Sequence, residues 1–125
     1  MMKILSVDHI VITTQNLENC LHFYVDILGM KHDVILGQHA LLFGNQKINI
    51  HTYPGEFQPA AKQPTYGSQD LCFVSEGNPE DIKRELIENG FEIVEGVVDR
   101  IGARGEMKSV YTYDPDGNLV EIAVY

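Results

Sequence analysis

At 125 residues and 44% hydrophobic content, with six Tyr and five Phe, the chain is one domain by size and carries enough apolar side chains for a core, which excludes a disordered protein. Eighteen acidic residues against nine Lys plus Arg give a formal charge of -9, spread rather than blocked. That balance repels phosphate backbones and anionic membranes, so neither nucleic acid nor a membrane is expected as a partner. Cys20 and Cys72 lie in apolar patterns without C-x-x-C spacing and read as buried free thiols, not as a disulfide or a cysteine metal site. The start of the chain lacks the apolar core of a signal peptide, and no run reaches the roughly 18 apolar residues of a membrane span, so a cytoplasmic location is expected.

Residues Leu5 to Thr14 are rich in β-branched side chains and read as a buried strand interrupted by Asp8-His9. Asn16 then caps a helix whose apolar face is Leu17, Cys20, Leu21, Tyr24 and Leu28, stopped by Gly29. Three short strands follow, Met30 to Leu36, His39 to Phe43 and Lys47 to Tyr53, separated by Gly37-Gln38 and Gly44-Asn45-Gln46. From Pro54 to Gly67 periodicity vanishes and prolines accumulate, the mark of a linker. The second half restarts with a strand from Gln69 to Ser75. A helix capped by Asn78 and Pro79 closes at Asn89-Gly90. Phe91 to Asp99, Met107 to Asp114 and Leu119 to Tyr125 read as the last strands.

The same element order thus occurs twice. His9 to Gly29 and Asp70 to Gly90 are both spaced by twenty residues, which makes His9 and Asp70 equivalent positions of an internal repeat. The predicted fold class is α+β: two β-α-β-β-β modules forming a curved, cup-like mixed sheet with helices outside. The whole of 1–125 is read as one domain, with module one at 1–53, linker at 54–67 and module two at 68–125.

Glu121 is the residue that demands a chemical explanation. The turn Asp114-Pro115-Asp116-Gly117-Asn118 feeds the strand Leu119-Val120-Glu121-Ile122-Ala123-Val124, which is too apolar to be solvated on both faces. A carboxylate there needs a partner, and a metal ion is one that keeps it charged. Aligning Asn45 to Tyr53 with Gly117 to Tyr125 sets Asn49 against Glu121, with His51 two residues on and on the same face. His9, Asn49 or His51, Asp70 and Glu121 therefore form a candidate inner-face set. Imidazole and carboxylate suit a divalent Zn, Ni, Mn, Fe or Co ion with room for substrate oxygens. Duller readings stay open: a hydrogen-bonded buried His9 beside Asp8, an exposed strand-end His51, a turn-capping Asp70. His22, His32 and His39 read as surface or strand-edge residues. Arg104, in Ile101-Gly102-Ala103-Arg104-Gly105-Glu106, reads either as part of a flexible hairpin loop or as a group meeting an anionic substrate.

The segments DHIVITTQNLENCLHFYVDILGMK, ALLFGNQKINIH and YTYDPDGNLVEI resemble the vicinal oxygen chelate superfamily of glyoxalase I, bleomycin- and fosfomycin-resistance proteins and extradiol dioxygenases. FGNQKINIH, GSQDLCFV and GARGEMKSVYTYDPDGNLVEI are most similar to the glyoxalase domain-containing protein 5 subgroup. The resemblance implies a divalent metal held by the first and last strands of the modules, with His9 and Glu121 at matching positions. Asp70 stands where a histidine is usual, and Asn49 with His51 nearby where glyoxalase I has Glu or Gln. The implied function is a glyoxalase I-like lyase or isomerase on a small oxygen-rich substrate, working through a metal-chelated enediolate. In it Glu121 is a ligand and possible base, and His51 an alternative base or ligand. The alternatives are an extradiol-type dioxygenase using His9, His51 and Glu121, and a metal-free drug- or metabolite-binding resistance protein. The resemblance also implies a homodimer.

Overall fold

The computed structural model describes residues 1–125, which divide into two compact units, Met1–Tyr66 and Gly67–Tyr125. Each unit is one β-α-β-β-β module with its own four-stranded mixed sheet, so the α+β repeat architecture holds. No helix is long and apolar enough to cross a membrane.

In the first module, β1 (His9–Thr13) pairs in parallel with β4 (Gln46–His51), which pairs antiparallel with β3 (Gln38–Phe43), itself antiparallel to β2 (Lys31–Ile35), for an order β1-β4-β3-β2. β1 begins at His9, not at Leu5. Its neighbour β4 starts at Gln46, directly after the Gly44-Asn45 turn, so residues upstream of His9 have no ladder to join. Between β1 and β2 lies the expected helix with an unexpected second half: α1 (Leu17–Leu21) runs into a π-helical segment, His22–Ile27. Asn16 caps it, its side chain accepting from the Asn19 N–H. The wider turn, marked by Leu28 N–H donating to Phe23 C=O at 3.0 Å, lets the consecutive aromatics Phe23 and Tyr24 both bury completely. Their rings meet edge to face at 4.8 Å. Ile12, Leu41, Ile48 and Ile50 are buried on the sheet face that alternates with that of His9, Asn49 and His51.

The second module repeats the plan with β5 (Asp70–Val74), α2 (Pro79–Glu88), β6 (Ile93–Gly102), β7 (Gly105–Tyr113) and β8 (Leu119–Val124), ordered β5-β8-β7-β6. Asn78 caps α2 through a 2.8 Å bond from the Glu80 N–H, with Pro79 in the first turn. The helix packs on β6 and β7, and Leu86, Val110, Val120 and Ile122 are buried. β6 and β7 extend further toward each other than the sequence indicated, so the Ile101–Glu106 segment is a tight hairpin around Ala103-Arg104. Arg104 is fixed in it: its N–H donates to the Tyr125 hydroxyl at 3.0 Å and its guanidinium lies 4.3 Å from the Tyr125 ring centre. The segment is thus a hairpin loop, one of the two readings of the sequence, with its tip in contact with Tyr125.

Candidate functional site

The two modules share one register. His9 pairs with Lys47, Val11 with Asn49 and Thr13 with His51; in the second module Asp70 pairs with Leu119, Cys72 with Glu121 and Val74 with Ala123. Position for position, His9 corresponds to Asp70 and Asn49 to Glu121.

Glu121 sits at the middle of β8, half-buried, and its surroundings come from three strands. The Ser109 hydroxyl on β7 donates to its Oε2 at 2.6 Å. Cys72 lies directly across on β5 and Tyr111 directly across on β7. Partial burial, then the Glu121 charge and hydrogen bond, then the charge of Asp70 push the Cys72 thiol up to about 11. Burial raises the Tyr111 phenol as well; Arg100 opposes that shift and Glu121 adds to it. Arg100 donates from Nε to the Tyr111 hydroxyl at 3.0 Å, stacks 5.4 Å from its ring centre and pairs with Glu95 at 3.1 Å. The second sheet therefore carries a polar chain from Glu95 through Arg100 and Tyr111 to Glu121. Cys72 is exposed, not buried as its apolar neighbours suggested. It takes the face of Asp70 and Glu121, and period-2 alternation exposes that face. Asp70 is exposed too, two residues before Cys72 on that face.

The turn before β8 is held by its own polar groups. Asp114, buried, accepts from the N–H groups of Asp116 and Asn118, both at 2.9 Å, and from the Asn118 side-chain amide at 2.8 Å. Asn118 Oδ1 accepts from the Gln69 N–H at 2.9 Å, tying the turn to the start of β5. Gly67 has φ +68 and a Cβ there would meet the Asp116 carbonyl at 2.5 Å, so only glycine fits. The register of Glu121 against Cys72 and Tyr111 is thereby fixed from both sides.

In the first module His9 is exposed, and its Nδ1–H donates to Asp8 at 2.7 Å. This leaves Nε2 open, the arrangement by which a carboxylate orients a metal-binding imidazole. The same bond holds the Asp8 carboxyl below its usual range. His51 is 4% exposed, with its ring edge-on to Phe57 at 5.4 Å. It lies four residues along β4 from the partner of His9, roughly 13 Å at 3.3 Å per residue, so the two imidazoles do not converge on one ion within the module. Asn49 is buried at the position equivalent to Glu121. No group of three or more His, Cys, Asp or Glu side chains is assembled around a single point.

Ser109, Tyr111 and Arg100 escaped the sequence reading. A signal was present: counting back from the Asp114–Asn118 turn pairs Tyr113 with Leu119 and Tyr111 with Glu121, and Ser109 follows on the same face.

The sequence signature of the Glyoxalase/Bleomycin resistance protein/Dioxygenase superfamily matches residues 6–122. A virulence protein of Salmonella typhimurium is 44% identical over 120 residues, covering 95% of this chain and 83% of that one. A glyoxalase domain-containing protein of Mycosarcoma maydis is 42% identical over 124 residues, covering 99% of this chain and 70% of that one. Among solved structures, an integron cassette protein from V. cholerae superposes with a TM-score of 0.95 at 42% identity over 100% of this chain and 98% of its own. A lactoylglutathione lyase from Agrobacterium tumefaciens shares the fold with a TM-score of 0.73 at 19% identity, covering 95% of this chain and 92% of its own. The chain belongs to the Glyoxalase/Bleomycin resistance protein/Dioxygenase superfamily, the vicinal oxygen chelate group that its sequence resembles.

Proposed function

We propose that the chain is a divalent-metal-dependent enzyme of the glyoxalase I-like type, a lyase or isomerase acting on a small substrate with oxygens on adjacent carbons. His9 and Glu121 are its principal ligands and Asp70 an additional one. The observation that carries this reading is the chemistry around Glu121. The groups that structure supplies to it, Ser109, Cys72 and Tyr111, are neutral donors that orient the carboxylate without cancelling its charge. A half-buried anion so held favours a cation. The Asp8-backed ring of His9 supports a matching imidazole ligand. His51 is left out of the ligand set.

The chemistry that such a cation supplies is Lewis-acid polarisation of adjacent substrate oxygens. The chain's own residues do the rest. Ser109, Cys72 and Tyr111 fix the Glu121 carboxylate in one orientation, which suits a ligand. Arg100 holds the Tyr111 hydroxyl toward that group. The protein is further proposed to work as a homodimer on a small-molecule substrate.

Metal content after reconstitution with Zn, Ni, Mn or Fe(II), measured by mass spectrometry, tests the reading. Wild type is expected to retain an ion that His9→Ala and Glu121→Ala lose, and to turn over the hemithioacetal of methylglyoxal and glutathione. Glu121→Ala retaining both metal and turnover sinks the assignment. The absence of a preassembled ligand trio and the neutral, buried Asn49 favour a second reading, a metal-free protein that binds a drug or metabolite. Wild type that takes up no ion under any of the four conditions supports that one.

A further inference from the structure

Two of the five histidines, His22 and His32, line one groove in the first module, and a third, His39, is bonded to His32. His32 on β2 pairs with Leu41 and His39 on β3 pairs with Val34, so the two rings are diagonal neighbours on one face. Leu41 and His39 in turn pair with Ile48 and Ile50, so this is the face opposite to that of His9, Asn49 and His51. His32 Nε2 and His39 Nδ1 are 2.8 Å apart, with ring planes within 8° and ring centres 5.0 Å apart. That separation is what two imidazoles in a single plane give when joined edge to edge by an N–H···N bond. One ring donates and the other accepts, so two nitrogen lone pairs are directed at one shared proton.

A metal ion can take the place of that proton. Two Zn–N bonds of about 2.0–2.1 Å at a tetrahedral angle hold their nitrogens about 3.3 Å apart, so the rings need separate by only about 0.5 Å. His32 is exposed and free to make that adjustment by side-chain rotation. The surroundings favour a cation: a groove of about 410 Å³ beside the pair is lined by Glu18, Asp26, His22 and His32. His22 Nδ1–H donates to Asp26 at 3.0 Å. No third ligand is preassembled, so the site is bidentate with water completing the shell.

We propose that His32 and His39 form a cross-strand chelate for a divalent transition metal of the imidazole-seeking kind, Zn, Ni or Cu(II), separate from the site proposed around Glu121. Nothing in this proposal depends on the enzymatic reading. Titrating the full chain with zinc or nickel alone, followed by calorimetry, tests it in wild type, His32→Gln, His39→Gln and the pair His9→Ala and Glu121→Ala. Glutamine preserves size and polarity at these surface positions, and circular dichroism verifies the fold. Each Gln variant is expected to weaken one binding event by about tenfold or more, while His9→Ala and Glu121→Ala leave that event unchanged. In wild type, the side-chain nitrogen resonances of His32 and His39 are expected to shift together on metal addition. Equal affinity and stoichiometry in wild type and both Gln variants, or a wild type that binds no zinc or nickel outside the His9- and Glu121-dependent event, overturns the proposal.

Discussion

Replacing Asp114 by Ala tests how the turn before β8 secures Glu121. The Asp114 carboxylate is buried and accepts three hydrogen bonds, from the Asp116 N–H, the Asn118 N–H and the Asn118 amide. Bonds to a charged acceptor contribute about 1.5–3 kcal/mol each, but they are not additive when the same group makes all three. The larger effect is what remains after the change: the Asn118 N–H and Nδ2, on a residue 1% exposed, lose their acceptor and cannot reach water. Stranding two such donors costs about 1–3 kcal/mol each, so a total near 3–4 kcal/mol is expected. For a chain of this length that corresponds to a fall in Tm of about 10–15 °C. Asp114→Asn, which keeps one acceptor oxygen, is expected to lose about half as much. Asn118→Ala removes only the amide bond to Asp114, together with the Gln69 anchor, and leaves both backbone N–H bonds in place; because the two single variants share that amide bond, the double variant is expected to be less than additive. Thermal unfolding by circular dichroism or calorimetry measures all four proteins. A Tm within about 3 °C of wild type for Asp114→Ala refutes the idea that this network, and not the apolar strand itself, sets the turn.

Two further outcomes follow from the second module. With its thiol pushed up to about 11, Cys72 carries under about one per cent thiolate at pH 8.5 and, although exposed, is expected to react with alkylating reagents far more slowly than a free thiol. Because the folded-state value lies above the ordinary 9.0, the associated stabilisation is full below that pH and fades as pH climbs toward 11. Glu121→Gln removes the neighbouring charge but not the desolvation and is expected to speed alkylation several-fold; mass-spectrometric rates equal in both proteins contradict the pairing. Gly102→Ala places a Cβ against the Tyr125 hydroxyl and 2.7 Å from Met107 Sδ, displacing the ring that anchors Arg104. A lowered Tm, with faster exchange of the Arg104 amide, is expected, and an unchanged Tm argues against a fixed hairpin.

Features set within a few residues could be read directly. Asn78, Pro79 and Gly90 delimit α2 because cap, first turn and stop are local chemistry. The correspondence of Asn49 with Glu121 was legible because strand alternation and spacing after a turn are strict. What escaped depends on lateral partners. The start of β1 is decided by where β4 begins, and the π-helical turn by the need to bury both Phe23 and Tyr24. Cys72 reads as a core residue until β5 is laid beside β8, where it becomes the neighbour of Glu121.

That lateral pairing also accounts for the asymmetry between the modules. Glu121 is flanked across its strand by Cys72 and Tyr111, with Ser109 bonded to it. Its counterpart Asn49 is flanked by Val11 and Ala40, which donate nothing. A carboxylate at the Asn49 position would be buried with no donor directly across from it on either neighbouring strand, and a neutral amide stands there. Asn49→Glu is therefore expected to destabilise the protein by about 2 kcal/mol or more, or to hold the new carboxyl protonated, with Tm falling as pH rises from 5 to 8. Adding Ala40→Ser, which supplies a hydroxyl from the strand across, is expected to recover part of the loss. If Asn49→Glu instead leaves Tm unchanged across that pH range, donors around Glu121 are not what permits its charge, and the case for a cation beside it weakens accordingly.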